Sequence, residues 1–184
     1  MNVAVKPEML ALQRLYHWEA TTPDKIALTQ PMGGGVVRDF TWREVLDQTR
    51  RIAAHLKSLD LPAGSRIAIL SKNTAWWLMA DYAIWMAGHV SVPLYPTLAA
   101  GSVRKILEHS EARVLILGKL DDWSTMRAGV PPGLPCIATP LAPAGPFESW
   151  DDLIAKTAPL AGQPTRDGDE LATIMYTSGT TGQP

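Results

Sequence analysis

From Thr41 onward, the apolar positions of this chain alternate between stretches at helical spacing and short unbroken runs. Val45, Leu46, Thr49, Ile52, Ala53, Leu56 and Leu59 recur at helical spacing, with Arg43, Asp47, Arg50 and Lys57 on other faces. Thr41 and Glu44 have the form of a capping box ahead of that helix, and Phe40 and Val45 stand where a hydrophobic staple would close. Leu61-Pro62-Ala63-Gly64 ends it. The pattern then predicts a strand over 66–70 and a helix over 74–88, capped by Asn73 and apolar nearly all round. A strand over 90–95, a helix over 101–112 and a strand over 113–117 follow, then a short helix over 121–129 and a strand over 135–139. A brief helix capped by Ser149 is expected over 149–155, and 171–177 reads as one more apolar strand. Short strands separated by helices predict right-handed crossovers and an α/β fold, a parallel sheet layered with helices on both faces.

Before Thr41, Leu10, Leu12, Leu15, Tyr16 and Trp18 form an amphipathic lead-in that breaks at Thr22-Pro23-Asp24. A strand-like run over 26–30 leads to Gly33, Gly34 and Gly35, and glycines between two short apolar runs predict a hairpin turn. Pro, Gly and Ala dominate 129–147, a surface connection, and 158–170 is a polar loop. No internal repeat divides the chain.

Composition narrows the function classes. A hydrophobic fraction of 46% against 19% charged residues is that of a folded chain, and 184 residues suffice for a real core. A formal net charge of -1, with basic residues scattered, speaks against nucleic acid as a partner. The single cysteine, Cys136, excludes an internal disulfide and a cysteine-based zinc site, and it reads as a small packed residue. Arg14, His17 and Glu19 interrupt the N-terminal apolar stretch before it could serve as a signal peptide. The most apolar run, 75–95, carries Asp81, His89 and Pro93, so it reads as buried helix plus strand, not a membrane span. The expectation is a soluble, cytoplasmic protein. His55 is assigned to packing, His89 no catalytic role, and His109 the free carbonyls at a helix end. Trp76, Trp77 and Trp85 belong to core or to a partner-facing surface.

Chemistry concentrates at 176–184, YTSGTTGQP. Gly179 and Gly182 permit positive φ and close backbone approach, and Thr177, Ser178, Thr180 and Thr181 add four hydroxyls. Backbone N–H groups curled around a point bind anions, and hydroxyls donate to phosphate oxygens. A strand running into such a loop puts it at the C-terminal edge of a sheet, where α/β proteins bind ligands. Ordinary turns use the same residues, so composition alone leaves both readings open. Gln183 after Gly182 excludes a Walker loop, and no G-x-G-x-x-G is present.

Tyr176 to Pro184 resemble the phosphate-loop signature of the adenylate-forming superfamily, approximately Y-T-S-G-T-T-G-x-P-K-G, as far as the chain runs. DGDELATIMYTSGTTGQP, AGHVSVPLYPT and ILEHSEARVLIL are similar, in order and rough position, to segments of long-chain fatty acid–CoA ligases. FTWREVLDQTRRIAAHL resembles the family's early helix and RIAILSKNTAWWL the strand and turn after it, so the likeness covers most of 20–184. It implies that residues 1–184 are a partial N-terminal AMP-binding domain, the first part of the large domain of an acyl-CoA synthetase-like enzyme. The implied reaction joins an acid to AMP from ATP with loss of pyrophosphate, then passes the acyl group to CoA. Implied phosphate contacts are Thr177, Ser178, Thr180 and Thr181, with Gly179 and Gly182 enabling the backbone, while Tyr176 packs at the strand end.

The resemblance also sets bounds. The family's loop continues with a lysine and glycine beyond Pro184, and its adenine, ribose, Mg²⁺, acyl and CoA sites lie in later sequence, so no catalytic or metal residue is expected here. The 184-residue piece is expected to lack ligase activity and to expose an apolar face prone to self-association. Implied partners are ATP, a fatty acid and CoA, with Mg²⁺ as cofactor; peripheral membrane contact and homo-oligomerisation stay open. Two other readings remain: adenylation of a short-chain, aryl or amino acid, and a non-catalytic α/β binding module.

Overall fold

The computed structural model describes residues 6–177. A 3-10 turn, Pro7–Met9, precedes α1, Ala11–Thr21, which buries Leu12, Leu15 and Tyr16. Strands β1 (Ile26–Gly33) and β2 (Val36–Thr41) pair antiparallel. Gly34 and Gly35 join them at φ of 59° and 79°, the positive values a two-residue hairpin turn demands.

Helix α2 (Trp42–Ser58) begins as its sequence dictates. The Thr41 hydroxyl accepts the Glu44 N–H at 3.3 Å, and the Glu44 carboxylate accepts the Thr41 N–H at 2.7 Å. The Thr41 N–H, and the Thr41 hydroxyl at 2.8 Å, both donate to the Glu44 carboxylate and hold it below its ordinary pKa. Phe40 and Val45 are both buried in one core cluster, and Phe40 meets Trp76 edge-on at 5.6 Å.

A parallel sheet occupies the rest. In chain order come β3 (Arg66–Leu70), α3 (Ala75–Met86), β4 (Val90–Leu94), α4 (Ala100–His109) and β5 (Val114–Leu117). Then follow α5 (Trp123–Met126), a 3-10 turn at Arg127–Gly129, β6 (Cys136–Ala138), β7 (Glu148–Ser149) and α6 (Trp150–Lys156). The strand order is β4-β3-β5-β6-β7, every pair parallel. Alternation along the strands divides the core between two faces. Ile67, Ile69, Val114 and Ile116 turn towards α2, α3 and α6, while Ala68, Leu70, Leu115 and Leu117 turn towards α4 and α5. Both faces are covered, which is why these strands read as unbroken apolar runs. Each large side chain fully buried here, such as Trp76 or Ile69, contributes about 1.5–3 kcal/mol.

Two expectations need correction, and one strand comes without any. The cap of α3 is Thr74, whose hydroxyl accepts the Trp77 N–H at 3.1 Å; the helix starts one residue later than Asn73 would place it. Strand β7, two residues long, has no apolar run to announce it and exists through its pairing with Ile137 and Ala138. Segment 171–177 lies parallel to β4 but makes a single bridge, Ser91 to Thr173, and not a regular strand. The next outward-facing position of β4 is Pro93, which has no N–H to offer, so the next ladder bond towards residue 174 cannot form.

Replacing Thr41 by Ala removes the hydroxyl that accepts the Glu44 N–H at the start of the longest helix, and leaves the backbone N–H to the Glu44 carboxylate. Urea denaturation is expected to show a loss of about 1 kcal/mol at unchanged m-value, and an unaltered midpoint would mean the hydroxyl contributes nothing.

Candidate functional site

In open parallel sheets, ligands settle beyond the C-terminal ends of the strands, where successive connections leave in opposite directions. Here the chain moves from β3 outward to β4, then crosses back to β5, so that point lies between β3 and β5. It is closed. A Cβ on Gly118, just after β5, would stand 2.2 Å from Ser71 Oγ and 3.1 Å from Thr139 Oγ1, so only glycine fits there. The Lys72 N–H donates to the Lys119 carbonyl at 2.8 Å, and the Lys72 ammonium pairs with Asp121. The open cleft lies one strand over, a volume of about 180 Å³ walled by Trp77, Leu94, Tyr95 and Tyr176, with Asn73 and Thr177 at its polar edge.

Segment 171–177 forms the outer wall of that cleft, and a series of contacts holds it. Arg166 donates through Nη2 to the Leu171 carbonyl at 3.0 Å and through Nη1 to the His89 carbonyl at 2.6 Å. Glu170 accepts from Arg166 Nε at 2.9 Å, which fixes the fork. Trp85 Nε1 donates to the Ala172 carbonyl at 3.0 Å. The Ser91 backbone supplies two more bonds, its N–H to Ala172 at 3.0 Å and its carbonyl from the Ile174 N–H at 2.9 Å. Finally the Tyr176 hydroxyl lies 2.6 Å from His109 Nδ1, with the rings edge to face at 5.7 Å.

Among the residues that the sequence singles out, Thr177 is exposed at the mouth of the cleft. Ser178, Gly179, Thr180, Thr181 and Gly182 lie outside the described residues. Tyr176 packs at the end of the segment, against the core beneath α4. His109 meets that tyrosine, and not free carbonyls of its own helix. His89 is buried, and its Nδ1 has no hydrogen-bond partner among the described residues. Burial lowers its pKa, helped by the positive charges of Lys57 and Arg166. His55 stands 3.2 Å from Glu148, outside hydrogen-bond geometry, and burial again lowers its pKa although Glu148 pulls upward. Cys136 is half-buried, and burial pushes its thiol up, away from nucleophilic use.

Arg166 and Trp85 are the supports that sequence reasoning passes over. Arg166 stands in a polar loop with no periodicity to mark it, and Trp85 reads as bulk on an apolar helix. Among the described residues, no group of three or more His, Cys, Asp and Glu could hold a metal ion, and no helix is long and apolar enough to cross a membrane.

Comparison with known proteins gives this edge a context. The family described as AMP-binding enzyme matches residues 15–184. A long-chain-fatty-acid–CoA ligase of Mycobacterium bovis is 34% identical over 180 residues, covering 92% of this chain and 29% of that protein. An N-(5-amino-5-carboxypentanoyl)-L-cysteinyl-D-valine synthase of Amycolatopsis lactamdurans is 29% identical over 172 residues, covering 90% of this chain and 4% of the synthase. The crystal structure of an anthranilate CoA ligase in complex with anthranoyl-AMP superposes with a TM-score of 0.78 at 24% identity, over 98% of this chain and 35% of the ligase. That likeness is one of fold. This chain therefore spans under a third of the ligase it resembles in sequence.

A buried carboxyl sits close behind the edge. Asp81 on α3 is 7% exposed, and neither its Oδ1 nor Ser91 Oγ has a hydrogen-bond partner among the described residues. Burial pushes the Asp81 carboxyl from 3.8 up to about 6, with the Ser91 hydroxyl pulling the other way from outside hydrogen-bond geometry. Between those two values the native state keeps a proton that the unfolded chain has released, so this group's contribution to stability falls as pH rises through the window. Asp81→Asn is expected to stabilise the chain by roughly 2–3 kcal/mol at pH 7.5 and by little at pH 4. Urea titrations at both values test this, and a difference independent of pH would rule it out.

Proposed function

Because the chain belongs to the AMP-binding enzyme family, we propose that it is the N-terminal part of an ATP-dependent, AMP-forming acid–CoA ligase acting on long-chain fatty acids. The observation that carries the acid is the 34% identity to a long-chain-fatty-acid–CoA ligase over 92% of this chain. The observation that supports the site is the edge geometry: an extended segment, pinned to β4, delivers exposed Thr177 to the mouth of a cleft at the C-terminal ends of the strands.

In this reading Thr177, Ser178, Thr180 and Thr181 donate to the β- and γ-phosphates of ATP, with Gly179 and Gly182 allowing the backbone to come close. The acid's carboxylate attacks the α-phosphorus, pyrophosphate leaves, and the acyl group then passes from AMP to the thiol of CoA. Charge builds on the departing pyrophosphate, and donors already in place stabilise it without reorganising. The chain's own contribution is to hold those donors and to keep the wall behind them rigid. Mg²⁺ would arrive with ATP, and no ligand for it is assigned among the described residues. The 184 residues by themselves are proposed to be inactive, because the acyl and CoA sites belong to the remaining length of such ligases. A cytoplasmic location, peripheral to a membrane surface, goes with fatty acid as substrate.

A second reading, adenylation of an aryl or amino acid, draws support from a specific observation. The relatives include a synthase of an amino-acid-derived product, and an anthranilate ligase shares the fold.

Pyrophosphate release by the full-length protein, with ATP, Mg²⁺ and CoA, across acids from acetate to long-chain fatty acids, separates these readings. The expected result is a maximum at long chains, reduced at least a hundredfold by Thr180→Ala with Thr181→Ala, since each lost donor to a developing charge costs about tenfold or more. A maximum at an aryl or amino acid would move the assignment to the second reading. No release with any acid would leave a non-catalytic binding module.

A further inference from the structure

The ladder between β4 and the outer segment ends early. Ser91 gives both of its backbone groups to residues 172 and 174, and Pro93, the next residue facing outward, has no N–H. Met175 is 72% exposed. Among the described residues, no backbone hydrogen bond holds positions 175 to 177 to the sheet. Residues 175–177 would therefore be free to swing about Ile174, were it not for one side chain.

That side chain is Tyr176. Its ring lies against the core beneath α4, and its hydroxyl meets His109 Nδ1 at 2.6 Å. His109 is the last residue of α4, a ten-residue helix whose Val103, Ile106 and Leu107 are buried in the same core. The rings stand at 87°, edge to face, so orientation as well as distance is specified. The pair lines a cleft of about 570 Å³ together with Lys105, Ile106 and Glu108. Burial raises the Tyr176 phenol, which keeps its proton available to the imidazole. Thr177 follows directly on this contact.

We propose that His109 is a positioning residue for nucleotide binding: by holding the Tyr176 hydroxyl it sets where the chain enters the phosphate-contacting residues 177–182. The inference rests on the phosphate-binding reading of that loop, and on nothing about which acid is activated. His109 touches neither nucleotide nor acid, and acts through Tyr176 alone. Its contribution is to remove the freedom that Pro93 leaves, so that donors meet the phosphates already aligned.

The test uses the full-length protein and two readouts, MgATP affinity by calorimetry and steady-state pyrophosphate release. His109→Phe keeps the edge-to-face ring and removes the nitrogen, and Tyr176→Phe keeps the ring and removes the hydroxyl. Each is expected to weaken MgATP binding and raise KM for ATP roughly three- to tenfold, the range for loss of one partly exposed hydrogen bond. KM for acid and for CoA should stay within twofold. Because the pair acts as a unit, the double variant should be no worse than either single one. His109→Asn, which sets an amide close to the place of Nδ1, should recover most of the affinity. Unchanged MgATP affinity in both single variants would overturn the proposal. So would equal losses for all three substrates together with a lowered Tm, which would reduce His109 to general stability. Weakened MgATP binding in a protein that releases no pyrophosphate would uphold His109 while removing the ligase reading. A wild-type protein that binds no MgATP would overturn both.

Discussion

The geometry of the whole edge depends on how much of β4 is free to bond outward. In a parallel strand, alternate residues face alternate neighbours, and β4 has two positions that face away from β3. Ser91 uses its N–H and carbonyl to seize residues 172 and 174. Pro93 has no N–H to offer. The sheet can therefore grip the last described segment at one residue but cannot absorb it as a full strand. Everything that fixes its position beyond that grip comes from side chains: Arg166 and Trp85 on one side of Ser91, and the Tyr176–His109 pair on the other.

Closure between β3 and β5 complements this looseness. Gly118 leaves the space a Cβ would take to the Ser71 and Thr139 side chains, and the Lys72–Lys119 bond ties the two loops across the gap. The place where a doubly wound sheet usually opens is thus filled, and the cavity moves to the β3–β4–outer segment side. Aromatic walls from Trp77, Tyr95 and Tyr176 shape it.

Much of this was legible in the residues. The capping box at Thr41 and Glu44 formed as written, because a local motif is decided by neighbours three positions apart. Alternating apolar runs and helical stripes gave the parallel sheet because burial on both faces leaves no polar positions in its strands. Asn73 failed as a cap, and Thr74 serves, because both residue types suit the role and only backbone geometry separates them. β7 escaped notice because its two residues are strand by pairing and not by composition. Segment 171–177 looked like a strand because an apolar run reports burial, not the partner's capacity to bond. Pro93 was the available signal, visible only once its neighbour was known. Arg166 and the role of His109 depend on contacts 77 and 67 residues apart in the chain, which no local pattern carries. For the loop at 178–182, sequence remains the sole guide to its chemistry, and the family match is what lends it weight.

The strand order has a consequence for the order of assembly. All five regular strands of the sheet lie between Arg66 and Ser149, and each pairs with a neighbour one or two strands away in the chain. Such a sheet can be completed while the chain is still emerging from the ribosome, since domains form from the N-terminal side as synthesis proceeds. The outer segment must then come back from residue 171 to Ser91, across a span of some eighty residues, to find its one pair of backbone bonds. Its attachment rests on one pair of backbone bonds, less backbone pairing than β3, β4 and β5 hold on one another. The outer segment is thereby added to a finished scaffold, and its attachment can be tuned by side chains without disturbing the core.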